Sequence, residues 1–209
     1  MNPLDRSGSF TDEETVLLAD GEFFRKKQRI SAKIRTMLEA SHVALRDELT
    51  RSRLLAPSDF DATHHQFVKG EHLESCPYQY LDCPKHFQGS DKYTFRTLVW
   101  WGHHVVFVWI LEGRLVKQYK KNLVDRFHSV AGRHLELSTA PTLWEWKCGE
   151  GYTLPLTHDR KATVAAVVAE RGFLKIGRYV PLGDARVRQG DLASLAREAF
   201  AALSPIVSS

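Results

Sequence analysis

The spacing of apolar residues changes period along the chain, and each change marks an element. Thr11 and Glu14 form a capping box whose hydroxyl and carboxylate satisfy helix-start amides; Val16, Leu17 and Leu18 then supply the buried side of a short helix that ends at Asp20-Gly21. From Glu22 to about Arg53, Phe23, Ile30, Met37 and Ala44 recur every seven residues with Ile34, Leu38, Leu45 and Leu49 beside them. This stripe predicts a long amphipathic helix of roughly 45 to 50 Å. Pro57-Ser58-Asp59 stop it, and the period falls to two.

Gln66–Lys69 and Tyr78–Leu81 read as short strands, the second bracketed by Pro77 and Pro84 and so expected at a sheet edge or in an extended segment. Residues 93–101 and 103–112 form the strongest strand pair. Val105 to Leu111 is apolar on both alternating faces, so both faces are expected to be covered, with Gly102 at the turn or bulge. Leu115, Tyr119, Leu123 and Phe127 follow helical spacing up to Gly132. Leu143–Lys147 and Tyr152–Leu156 read as a hairpin across Cys148–Gly151, a helix runs from Thr157 to Gly172, Phe173–Leu182 is a strand, and Asp191 caps a last helix. Helices and strands do not alternate strictly. The expected fold is therefore α+β, a largely antiparallel sheet covered by helices, with a long N-terminal amphipathic helix. Residues 1–10 read as a flexible tail, 11–204 as a single domain and 205–209 as a C-terminal tail.

At 209 residues and 43% hydrophobic, with eleven Phe, six Tyr and five Trp, the chain can fill one sizeable core without disulfides or structural metals. Three cysteines at no repeated spacing argue for a reducing compartment, which points to the cytoplasm. No apolar run approaches bilayer length and no signal-peptide core is present, so no membrane partner is expected. Six basic residues and no acid lie between Arg25 and Arg35, read first as a solvated helix face. Nucleic-acid binding by such a face ranks last, because no RNP, zinc-finger or helix-turn-helix pattern accompanies it.

The common phosphate-loop, dinucleotide, serine-hydrolase and zincin signatures are all absent. The residues of interest are polar ones set among aromatics. Arg96 sits between Phe95 and Leu98, where an unpaired guanidinium is costly; Asp82 or Glu112 can complete an ion pair, or Arg96 can face an anionic ligand. Lys175 and Arg178 pose the same question. Trp144 and Trp146 share one side of their segment with Glu145 on the other. His103 and His104 project to opposite faces and cannot chelate one ion together, so no metal is expected; a zinc site would have to be built from them with His65 or His64. Cys83 follows Asp82, whose carboxylate raises a neighbouring thiol's pKa and counts against a nucleophile.

The segments Gly70-Glu71, Cys76-Pro77-Tyr78, Leu81-Asp82-Cys83-Pro84, Phe95-Arg96-Thr97, Trp100-Trp101-Gly102-His103 and Phe173-Leu174-Lys175 carry a resemblance to a group of uncharacterised bacterial proteins with a PYxxLDxP…FRTxxWWGH pattern, over most of residues 11–203. A second likeness, of pattern, is to the YktB-like family of unknown function. It implies a long amphipathic helix before a hydrophobic strand pair containing His, and no catalytic residue. Cys83 stands where an aromatic residue is expected in that comparison. The leading expectation is a ligand- or protein-binding or regulatory domain using Tyr78, Asp82, Arg96, Trp101 and His103 as a polar mouth beside an aromatic sheet, with no cofactor. The alternative is an enzyme of unknown class, metal-dependent through histidines. The long helix or an uncovered sheet edge offers a surface for a homodimer.

Overall fold

The computed structural model describes residues 8–209; of the tail expected at 1–10, residues 1–7 lie outside the described residues. The described chain divides into two compact units, up to Thr36 and from Met37 to Ser209, where the sequence reading has one domain over 11–204. The division has a simple cause: Ile34 is the only buried side chain among the described residues before Met37.

In the first unit, α1 (Asp12–Ala19) starts at the expected capping box, with the Glu14 amide donating to Thr11 Oγ1 at 3.2 Å and the Thr11 amide to Glu14 Oε2 at 2.8 Å. The buried side expected from Val16, Leu17 and Leu18 is not there: α1 buries no residue. Three consecutive apolar positions point in three directions around a helix and make no face. Asp20 closes α1 and opens α2 (Gly21–Arg51), its carboxylate accepting from the Glu22 and Phe23 amides at 2.9 Å. At 31 residues α2 is about 46 Å long, as the seven-residue spacing predicts.

The second unit is built on a seven-stranded sheet of order β1-β2-β3-β4-β7-β5-β6, antiparallel at every pairing. Its strands are β1 (Gln66–Leu73), β2 (Cys76–Gln88), β3 (Asp91–Trp100), β4 (His104–Glu112), β5 (Glu136–Ser138), β6 (Thr153–Pro155) and β7 (Phe173–Pro181). The helices are α3 (Val116–Asp125), α4 (Phe127–Val130), α5 (Lys161–Ala169), α6 (Ala185–Arg188) and α7 (Leu192–Val207). No helix among the described residues is long and apolar enough to cross a membrane.

β3 and β4 form the middle of the sheet, and every side chain from Val105 to Leu111 is fully buried, because each face has its own cover. On one face Phe95 and Trp109 meet Phe200 of α7 at ring distances of 5.4 and 5.7 Å, and Tyr93 meets Trp109 at 4.7 Å. Leu98, Trp100, Val106, Val108 and Ile110 lie on the other face, packed against Leu143 and Trp146 of the segment 139–152. That segment is a strap across the sheet.

Three expectations need correction. β2 is not an edge strand; it runs through both prolines between β1 and β3. Pro84, which has no amide hydrogen to donate, falls where the register with β3 shifts between Asp82 and Lys85, so no ladder bond is demanded of it. Leu143–Lys147 pairs with no strand; β6 instead pairs with β5, and the strap is the connection between them. The C-terminal tail expected at 205–209 is helical to Val207. Ile206 and Val207 are fully buried, and carbonyls left free at the helix end accept from Asn122 Nδ2 (3.0 Å to Ile206) and Arg126 Nη1 (2.9 Å to Pro205).

Candidate functional site

Residues directly opposite in an antiparallel pair share a face. Asp82 lies opposite Arg96, Tyr80 opposite Leu98 and Tyr78 opposite Trp100, so β2 lays Tyr78, Tyr80 and Asp82 beside Arg96 on the strap-covered face. Across β4, Val108 opposes Gly177 and Ile110 opposes Lys175, which brings Lys175 to the same face.

Arg96 and Asp82 form a bidentate ion pair, Nε to Oδ1 at 2.7 Å and Nη2 to Oδ2 at 2.8 Å, with side chains 5% and 1% exposed. Of the two partners the sequence offers, Asp82 is the one used; Glu112 pairs with Lys92, directly across β3 and β4. The guanidinium lies over the Tyr80 ring at 3.7 Å and near the Trp146 and Trp144 rings at 5.2 and 5.6 Å. Its Nε/Nη2 edge is spent on Asp82. The remaining amino group, Nη1, is outside that fork, and Arg96 lines a cleft of about 240 Å³ with Leu73, Tyr78, Tyr80, Phe87, Leu98, Trp144 and Trp146.

The strap is tied down by side chains donating to its backbone. Lys175 Nζ donates to the Leu143 carbonyl at 3.0 Å and to that of Glu145, and Arg171 donates to the Thr139 and Ala140 carbonyls. His104 Nε2 donates to the Trp146 carbonyl at 2.9 Å, and Lys147 pairs with Glu74 at 2.6 Å. The Glu145 carboxylate turns back onto the strap, accepting from the Trp146 and Lys147 amides at 2.8 and 2.9 Å. Trp144 and Trp146 therefore both reach the cleft although they are not on a strand.

Lys175 is 1% exposed with its ammonium 4.6 Å over the Trp146 ring. Burial pushes its pKa down to about 7; the Glu145 carboxylate opposes this and the Arg96 charge adds to it. Its partners are carbonyls where the sequence suggested an acid. Burial also lowers His104, against the bond to Trp146, and its Nδ1 lies 3.9 Å from Cys148 Sγ. Burial, helped by Glu136, raises the Cys148 thiol, and burial lifts Cys83 to about 12. Neither thiol is arranged as a thiolate nucleophile.

Of the residues singled out in sequence, Tyr78 and Arg96 line the cleft and Asp82 fixes Arg96 from behind. Trp101 and His103 belong to the β3–β4 turn, where the His103 ring stacks on Trp100 at 3.6 Å, four residues and about 13 Å along the strand from Arg96. The metal candidates have three different settings: His65 stacks on His42 at 3.9 Å, His103 on Trp100, and His104 is held by the strap. Among the described residues no group of three or more His, Cys, Asp or Glu is placed to hold a metal ion. A second, larger cleft of about 460 Å³ is bordered by His42, Arg46, Thr50, Thr63 and His65. Tyr80, Phe87 and Leu73 were not singled out. The period of two that placed Tyr78 applies equally to Tyr80, so that residue was within reach of the sequence.

Comparison with protein-family models, with curated proteins and with solved structures finds no match to this chain.

Proposed function

We propose that the protein is a small-molecule-binding domain whose ligand presents a flat, uncharged group to the cleft between β2 and the strap, with a hydrogen-bond acceptor directed at the Nη1 edge of Arg96. The observation that carries this is a guanidinium at the floor of an aromatic-walled cleft, held by Asp82 and by the Tyr80 ring. Asp82 neutralises Arg96, and among the described residues no other charged side chain lines the cleft, so the site favours a polar neutral group over an anion. The walls supply stacking surface and one fixed donor supplies orientation, the usual division of labour in a small-ligand pocket. A cleft of about 240 Å³ takes a group of about one or two rings.

A thermal-shift screen of neutral heteroaromatic compounds, followed by tryptophan-fluorescence titration of the hits, tests this reading. Trp144 is 47% exposed, so Trp144→Ala leaves the fold in place. The expected result is hits whose affinity falls by roughly tenfold in that variant. Hits that bind it as tightly as they bind the wild type would overturn the proposal, as would a screen in which only anionic compounds bind.

A further inference from the structure

The first unit exposes apolar side chains that its own described residues leave largely uncovered. Val16, Leu17 and Leu18 on α1 are 71, 49 and 55% exposed, and Phe23, Phe24 and Ile30 on α2 are 40, 46 and 45% exposed. Folding α1 back to cover α2 is ruled out, since Asp20 alone joins the two helices and its carboxylate is engaged in starting α2. A patch of this kind, on helices with well-formed starts, marks an interaction surface.

Its charges identify the partner. Residues 11–20 carry Asp12, Glu13, Glu14 and Asp20 and no base, whereas residues 25–35 carry six bases and no acid. On α2, Lys26 and Lys33 flank the stripe formed by Phe23 and Ile30. One unit thus holds an acidic apolar helix and a basic apolar segment, which is the requirement for a self-complementary, two-fold contact. An anionic lipid surface suits the basic segment but repels the acidic α1.

We infer that the protein forms a homodimer in which α1 of each copy lies along the first half of α2 of the other, with Leu17 and Ile30 inward and the acidic residues of α1 facing the basic residues of α2.

The test uses the full chain in two charge-reversed forms, one with Asp12→Lys and Glu13→Lys, the other with Lys26→Glu and Lys33→Glu, leaving the Thr11/Glu14 cap intact. Sedimentation equilibrium is expected to show a dimer for the wild type and a dimer at least roughly tenfold weaker for each form alone, because every substitution acts twice in a two-fold contact. An equimolar mixture restores the wild-type association, since each reversed row then meets its opposite. The exposed pair Leu17→Ser and Ile30→Ser, with circular dichroism and melting temperature unchanged, also loses the dimer. The inference is overturned by a monomeric wild type, by a mixture no stronger than its components, or by a monomer that binds vesicles of phosphatidylserine and phosphatidylcholine.

Discussion

Replacing Asp82 by Asn tests whether the floor of the cleft is held as described. The substitution keeps the shape of the side chain but removes its charge and turns one acceptor oxygen into an amide that faces a guanidinium donor. Arg96 is 5% exposed and Asp82 1%, so water cannot take over the lost contacts. Removing one partner of such a pair costs about 3–5 kcal/mol, well above the about 0–1 kcal/mol of a surface pair. For a chain of this length that is a fall in melting temperature of roughly 6 to 20 °C. Urea unfolding gives the value directly, through a shift in midpoint without a change in slope. The double variant Asp82→Leu with Arg96→Met removes both charges and keeps the volume; it is expected to recover the loss except for the about 2 kcal/mol contributed by the guanidinium on Tyr80. A cost below about 1 kcal/mol for Asp82→Asn, or a double variant as unstable as the sum of the singles, refutes the reasoning.

Three further outcomes follow. With Lys175 at about 7 in the folded protein and near its ordinary value of 10.5 when unfolded, the unfolded chain binds more protons between those limits, so wild-type stability rises with pH through that window relative to Lys175→Met. Urea unfolding of both proteins at pH 6, 7.5 and 9 measures the difference, and parallel pH profiles would contradict the assignment. Ellman's reagent is expected to titrate Cys76 and Cys148 in the native protein and Cys83, 1% exposed with its thiol raised to about 12, only in denaturant; three thiols reacting natively would show that β2 is not covered. A methyl group on Gly177 would run into the Phe107 carbonyl and Val108, so Gly177→Ala is expected to cost about 3 kcal/mol in chemical unfolding. A loss under about 1 kcal/mol would mean that β4 and β7 are not so closely apposed.

The middle of the sheet was legible because its signal is local: a strand apolar at every position from Val105 to Leu111 has to be covered on both faces. The α1 cap and the length of α2 were legible for the same reason. What was not legible depends on distant partners. Leu143-Trp144-Glu145-Trp146-Lys147 alternates like a strand, but its carbonyls are satisfied by the side chains of Lys175 and His104, and no spacing announces that. Pro205 reads as the end of a helix, and the donors that cap the carbonyls of the last turn of α7, Asn122 and Arg126, lie far upstream. Val16-Leu17-Leu18 reads as buried because apolar runs usually are, whereas burial needs a neighbour and α1 buries no residue among the described ones. At the site, an aromatic neighbourhood pointed to Arg96 and its need for a partner, with Asp82 and Glu112 both open, while His103 was drawn in by nearness in sequence to Trp100 and lies at the turn.

The most direct test of the account is a crystal structure of the protein with the tightest-binding neutral heteroaromatic compound. The predicted result is a ring between Tyr80 and Trp144 with an acceptor within hydrogen-bond distance of Arg96 Nη1, and the Arg96–Asp82 fork unchanged. A compound seated in the cleft between His42 and His65, or one that reaches Arg96 only by displacing Asp82, would contradict it.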